Sequence, residues 1–410
     1  LLLSLAGLPD FFRAQGIINL HFPELIPLDN YARPAGPVVN RLDDWYQSLL
    51  KKLIDRDSEV AVTEDQLSKD SIENIHVFTT EPECDFVFQV LDKAYLEWMN
   101  STSANDRLRL LVFPPCDHSN RVTSWAEGNR LDVLAAPDRS ELLSGDLVKV
   151  TIPAGSGPLV IPKLEDWFIR HHRGLRYIRT LLAALQDTSR HCLVSCNSWC
   201  WVYLKKAVNA DLVLPVPDSL APMNAEILGK WLLELMSEEL QQPATFCDHN
   251  NGKEILRCEE DGTISDKFMQ QLANDSGGIP WIAWQLWCRS LRTEAERDDQ
   301  SDNTEEPEKQ QASGDKGIVF WTIRNQPPRL PRGHEHAACL LSQALLIHGS
   351  LPEQMLSAVL PPATGESSLI VALIRSGFVE CHGDEIRCLA TADPVIWTSL
   401  ANSGMTMARF

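Results

Sequence analysis

Residues 158–197 constrain the fold more than any other stretch. Pro158-Leu159-Val160-Ile161-Pro162 is an apolar run that enters an acid-bearing turn, Lys163-Leu164-Glu165-Asp166. A helical pattern follows over about Trp167 to Leu185, and a second apolar run, Cys192-Leu193-Val194-Ser195-Cys196, closes on Asn197-Ser198. Two buried strands separated by a helix-length crossover must lie parallel, because an antiparallel pair would need only a tight turn. A parallel pair in turn demands helices on both faces of its sheet, and near-continuous apolar strands meet that demand.

Other segments extend the alternation. Ile75-His76-Val77-Phe78 and Arg109-Leu110-Leu111-Val112-Phe113 read as strands, Phe86 to Met99 as the helix between them, and Ala210 to Val216 as a fifth strand. The fold class expected is α/β, with a five-stranded parallel sheet spanning 71–222 and helices on both faces. Residues 1–70 form an extended and helical segment in which Pro23, Pro27, Pro34 and Pro37 precede an amphipathic run from Val38 to Ile54. Residues 223–292 switch to helices, Asn224 to Glu239 and Ser265 to Leu291, around a hairpin at Asn250-Asn251-Gly252.

Residues 293–316 carry nine acids against three bases and no large apolar side chain, so they read as an acidic linker with nothing to bury. Residues 317–410 then form a small unit. Three short helices (Ala337 to Ile347, Pro352 to Val359, Ser367 to Arg375) precede a hairpin of Gly377 to Cys381 and Glu385 to Leu389. That is the winged-helix pattern.

A net charge of −19 repels a phosphate backbone, and no concentrated basic face is evident, so nucleic acid is not the expected partner. The eleven cysteines are irregularly spaced and several sit in apolar runs, which suits a reduced, cytoplasmic setting. Leu1 to Leu8 is far shorter than a membrane span and lacks a basic leader. The chain begins without methionine, which leaves a membrane-anchored parent open.

The loop after the expected first strand reads Thr79-Thr80-Glu81-Pro82-Glu83-Cys84-Asp85. A phosphate cradle needs glycines to curl backbone N–H groups around the anion and a lysine to meet its charge; this loop has neither, and its acids oppose a phosphate. No G-x-x-x-x-G-K-[ST] occurs anywhere. Glu165 and Asp166 have two readings, carboxylates for a metal and a water or acids complementing a helix dipole, and the second has the stronger case. Asn197 is either a polar sensor at a strand tip or the N-cap of a helix from Ser198 to Lys206. Arg170, His171, His172, Arg173, Arg176 and Arg179 make a basic face, read first as solvated. Gly277-Gly278-Ile279-Pro280 separates two helices, and Trp281, Trp284 and Trp287 read as core. No cysteine or histidine spacing predicts a metal site.

Taken in order, these parts resemble the signal-transduction ATPases (STAND) and the AAA-type replication initiators, P-loop nucleoside-triphosphatases built from a five-stranded domain, a helical lid with a G-x-P motif and a winged helix. The matching residues are Leu159-Val160-Ile161 to Glu165, Val194-Ser195-Cys196-Asn197 and Gly278-Ile279-Pro280, and the resemblance covers about 73–410. It implies catalytic roles for Glu165, Asp166 and Asn197 and nucleotide contacts for Thr80, Glu83, Cys84, Asp85, Arg176 and Pro280, with ATP and Mg²⁺ as the cofactors of an active member. With the metal position falling on Pro162 and the following, water-orienting one on Lys163, the expectation is a degenerate ATPase without cofactor that acts on a protein partner or on itself. Two alternatives stand beside it: an active ATPase that grips phosphate through Lys163, Arg173 or Arg176, and a winged-helix DNA-binding regulator.

Overall fold

The computed structural model describes residues 22–36, 62, 67–69, 72, 75, 78, 80–82, 84–100, 106–144, 149–155, 157–240, 244–257, 264, 266–294, 318–324, 326–361, 364 and 367–410. The expected helix at 38–54 and most of the acidic stretch lie outside them. In chain order the first elements are β1 (Leu25–Pro27), β2 (Leu67–Ser68), and α1 (Asp85–Leu91), which a π-helical turn continues to Met99. There follow β3 (Leu108–Phe113), α2 (Arg121–Gly128), β4 (Asp132–Val133), β5 (Leu159–Ile161), α3 (Arg176–Asp187), β6 (Cys192–Asn197), α4 (Ser198–Val208) and β7 (Asp218–Leu220).

Six of these strands form one sheet in the order β1-β7-β3-β6-β5-β4. β3 runs parallel to β6 and β7, and β5 parallel to β6 and β4; β1 alone is antiparallel. The protein is thus mixed α/β with a mostly parallel central sheet. All of β5 and β6 is buried, with Leu110 to Phe113 of β3 beside them. At about 1.5–3 kcal/mol for each large aliphatic side chain taken from water, these strands supply the cohesion of the sheet.

Several sequence expectations need correction. Ile75 and Phe78 are not in a strand, and His76 and Val77 lie outside the described residues: Ile75 N–H bonds Ile72 O at 3.0 Å and Phe78 N–H bonds Ile75 O at 3.0 Å, local bonds in place of a sheet ladder. The first parallel strand of the sheet is therefore β3. Ala210 to Val216 is not the fifth strand either. Asn209 is left-handed (φ 52), Ala210–Leu212 is a 3₁₀ turn, and Leu212 and Val216 are 80% and 73% exposed. Pro215 and Pro217 each remove a ladder donor there, so pairing begins only at Asp218. The strand that sequence reading omitted is β4, whose two residues are too few to show a period.

The crossover helix also starts later than expected, at Arg176 instead of Trp167. Leu164–Trp167 is a 3₁₀ turn, Phe168 is extended, and the chain then doubles back so that Ile169 N–H bonds Gly174 O at 3.2 Å. A Cβ at Gly174 would lie 2.9 Å from the Ile169 Cβ and clash with the Ile169 carbonyl, so only glycine closes this loop. Glu165 and Asp166 consequently open no α-helix, and the dipole-capping reading fails.

The chain continues with α5 (Ala225–Glu239), β8 (Ala244–Asp248), α6 (Lys267–Asp275), α7 (Pro280–Ser290), β9 (Leu291–Glu294) and β10 (Ile318–Thr322). A second sheet has the order β2-β9-β10-β8. The Asn250-Asn251-Gly252 turn carries a single bridge, Cys247 to Glu254, and the ladder partner of β8 is the distant β10. Gly278 (φ +77) lies where a Cβ would meet Pro222 and the Met223 backbone below 3.0 Å, which fixes α7 against the start of α5.

The remaining elements are α8 (Glu335–His348), β11 (Ser350–Pro352), α9 (Glu353–Val359), α10 (Ser367–Arg375), β12 (Val379–His382), β13 (Glu385–Cys388) and α11 (Asp393–Asn402). Their strands form a third sheet, β11-β13-β12. The N-terminal segment ties the ends of the chain together: Tyr31 donates to Gly277 O at 2.6 Å and meets the buried Phe410 edge-on at 4.2 Å. Among the described residues no helix is long and apolar enough to cross a membrane.

Candidate functional site

The sheet reverses direction between β3 and β6. From β3 the chain moves outward to β4, whereas from β6 it crosses β3 to reach β7, so right-handed crossovers send α2 and α4 to opposite faces. A crevice opens outside the carboxyl ends of two such strands. Phe113 and Asn197, the last residues of β3 and β6, are register partners at that point. A cavity of about 750 Å³ lies here, walled by the β3–α2 loop, the β5 turn, the end of β6 and, from the C-terminal unit, α8, β11 and β13.

The loop from β3 to α2 is Pro114-Pro115-Cys116-Asp117-His118-Ser119-Asn120. Cys116 (φ 60) and Asn120 (φ 52) are left-handed without being glycine, which marks a tightly turned loop. Its own carboxylate fills the start of α2: Asp117 Oδ2 accepts from Arg121 N–H at 3.1 Å and Oδ1 pairs with the Arg121 guanidinium. Arg121, 3% exposed, also donates to Pro82 O at 3.3 Å and lies 4.7 Å from the centre of the Trp281 ring. Trp281 in turn donates to Pro115 O at 2.8 Å and stacks on Phe113. Loop, arginine and tryptophan are thereby locked to one another.

Glu165 is 7% exposed and its Oε2 accepts from Asn197 N–H at 3.2 Å. Burial pushes its carboxyl up to about 7, against the pull of the Lys163 charge. Asp166 pairs with Arg139 at 3.0 Å, and Arg139 reaches Ser350 O at 2.6 Å. Asn197 Oδ1 accepts from Cys200 N–H at 2.8 Å, the N-cap geometry, while its amide nitrogen donates to Ile347 O at 3.4 Å. The sheet end and the C-terminal unit are thus stitched together across the crevice.

Two histidines belong to the same walls. His348 Nε2 accepts from Arg170 N–H at 3.2 Å; burial, reinforced by the Arg139 charge, pushes the ring down to about 3. His118 is pushed down to about 3 by burial and then by Arg387, although a hydrogen bond to the Cys388 backbone opposes the shift. Its Nε2 is buried with no partner among the described residues.

Of the residues singled out from sequence, the fold brings Glu165, Asp166 and Asn197 together in this cavity. Thr80 lies in a smaller cavity of about 310 Å³ with Trp284, which donates to Thr80 O at 3.1 Å. Cys84 caps α1 without a side-chain bond to it, and Asp85 is the first residue of that helix. Burial pushes the Cys84 thiol up to about 11. Arg176 opens α3 and Pro280 opens α7. Glu83 lies outside the described residues. Sequence reading missed His118, Arg139, His348 and Arg387. The available signal was Pro114-Pro115 ending a strand before a polar run and a helix, a strand-loop-helix unit displaced one strand from where it was sought.

No family model matches the sequence, and no curated protein matches it. Among solved structures, the crystal structure of Cdc6p from Pyrobaculum aerophilum covers 83% of this chain and 100% of that chain, at 11% identity and a TM-score of 0.29. A likeness of that size carries no argument, and the fold description rests on the strand order itself. Among the described residues no three His, Cys, Asp or Glu side chains are grouped to hold a metal ion.

Proposed function

We propose that this chain is a catalytically degenerate AAA- or STAND-like module that acts as a regulator or scaffold through contacts with a protein partner or with a second copy of itself. The observation that carries this reading is Asp117. At the end of the first parallel strand, where a triphosphate would be met by backbone N–H groups and a lysine, a carboxylate of the chain accepts the Arg121 N–H and neutralises its guanidinium. An anion arriving there would have to displace a buried ion pair and face a fixed negative charge.

Neighbouring residues support the same reading. Pro114 and Pro115 offer no N–H, and the position that would hold a metal ion at the end of β5 is Pro162. Lys163 is bonded to Asn120, and Asn197 uses both ends of its amide on protein groups. These residues do not fit Mg-triphosphate, so no hydrolytic step is derived. The order β7-β3-β6-β5-β4 places the loop-bearing strand beside the sensor-like strand β6, which suits an AAA-like ancestry. In the same reading, the helices of 223–292 are the lid, and α8 to α10 with β11-β13-β12 are a winged helix used for protein contact.

Equilibrium dialysis with labelled ATP and Mg²⁺ tests the proposal. No retention at micromolar nucleotide is expected. Micromolar binding with turnover that Glu165→Gln abolishes would overturn it.

A further inference from the structure

α10 is amphipathic, yet its outer face is not wholly polar. Leu369, Ile370 and Leu373 are buried, whereas Ser367, Ser368, Val371, Ile374 and Arg375 are exposed. At about 100° of turn per residue those five fall within one arc of about 120°, so they form a single stripe along the helix. Val371 and Ile374, 45% and 39% exposed, make up its middle. The solvent side of a helix ordinarily carries polar and charged groups, and apolar side chains at i, i+3 spacing are how a helix engages a partner.

The two ends of the stripe carry opposite charge. Arg375 closes α10, and at its start Ser367 Oγ donates at 3.2 Å to Oε1 of Glu353, the exposed first residue of α9. Val371 is the central residue of Ser367–Arg375. A second copy laid antiparallel across the stripe therefore sets Val371 against Val371 and each Arg375 against the Glu353 end of the other copy. Such a contact is self-complementary, as a twofold interface has to be. A parallel arrangement would set like charge beside like. Duplex DNA fits this face less well, since the stripe offers one cation with a carboxylate at its far end.

We propose that α10 is a self-association surface through which two copies of this chain pair antiparallel about Val371, with reciprocal Arg375–Glu353 ion pairs. The inference rests on the reading of the C-terminal unit as a protein-contact element. It deepens that reading by naming a second copy as the partner and one helix face as the contact. A helix of this length, about 13 Å, buries well under the roughly 800 Å² per partner of a stable dimer. The pairing is therefore weak and reversible, with a dissociation constant on the order of 100 µM.

Sedimentation velocity of the full chain, from well below to well above that constant, should show a shift from monomer to dimer. Ile374→Lys should leave a monomer throughout. Arg375→Glu, which sets two carboxylates together at each end of the pair, should weaken association by about tenfold, and adding Glu353→Arg should restore it. If Ile374→Lys does not fold, this charge exchange decides. A chain that stays monomeric at every concentration, pairing that none of these substitutions moves, or a doubly exchanged variant no tighter than Arg375→Glu alone overturns the inference and leaves protein contact standing with a different partner. Retardation of duplex DNA in a gel that grows as salt falls and is lost in Arg375→Glu overturns both.

Discussion

Asp117→Asn is the most direct perturbation of the proposed anion mimic. The pair it breaks is buried, with Arg121 and Asp117 side chains 4% and 12% exposed. Removing one partner of such a pair leaves an uncompensated charge and costs about 3–5 kcal/mol. Arg121 keeps its bond to Pro82 O and its place over the Trp281 ring, and asparagine can still accept the Arg121 N–H, so the lower end, about 3 kcal/mol, is expected. Urea unfolding followed by tryptophan fluorescence reads it, because Trp281 reports on this contact. The companion Arg121→Met, alone and combined with Asp117→Asn, completes a double-mutant cycle in which the pair should be less destabilised than the two single losses summed. A cost for Asp117→Asn below about 0.5 kcal/mol, or strict additivity, would refute the claim that this carboxylate is committed to the chain's own arginine.

Glu165 should make stability fall as pH rises. Its folded value of about 7 lies above the ordinary 4.5, so the folded state holds a proton that the unfolded state has released between those values. The loss is complete above about pH 7 and amounts to roughly 3 kcal/mol, and Glu165→Gln should abolish it in unfolding curves from pH 4.5 to 8. His348 acts in the opposite sense: held near 3 against an ordinary 6.5, it stays neutral while the unfolded ring protonates, so stability falls from about pH 6.5 towards 3. His348→Phe should flatten that acid limb in the same titration. Gly174→Ala should cost about 2–3 kcal/mol through its clash with Ile169, measured by thermal unfolding. Asn197→Ala removes an N-cap and the donor to Ile347 O, and about 1–2 kcal/mol of destabilisation is expected by urea titration.

The strands that could be read from sequence are those buried on both faces. Leu110 to Phe113 and Leu159 to Ile161 are uninterrupted and apolar, Cys192 to Asn197 is mostly so, and each is a strand at those residues. What misled was apolar composition without a sheet to pair with, as in Ile75 to Phe78 and Ala210 to Val216. Ile75 and Phe78 spend their N–H groups on carbonyls three residues back, the second segment is interrupted by prolines, and composition records neither. The helix start at Arg176 was hidden because nothing local announces that Gly174 must pack against Ile169. Glu165, Asp166 and Asn197 were legible as polar residues at the ends of buried strands. His118 and Arg139 were not, since their importance comes from the C-terminal unit, more than 200 residues away, settling over them: Arg139 meets Ser350 and His118 meets Cys388.

The pairing of β9 with β10 has a practical corollary. Thr322 faces Leu291 and Trp321 faces Arg292 across an antiparallel ladder, so the acid-rich stretch departs from one sheet and returns to the same sheet. Severing the chain within 295–317 should therefore yield two fragments that stay associated on a sizing column, and splicing those residues down to a tight turn should leave the flanking ladder in register. That makes this stretch the natural place to insert a tag or a reporter without disturbing the crevice.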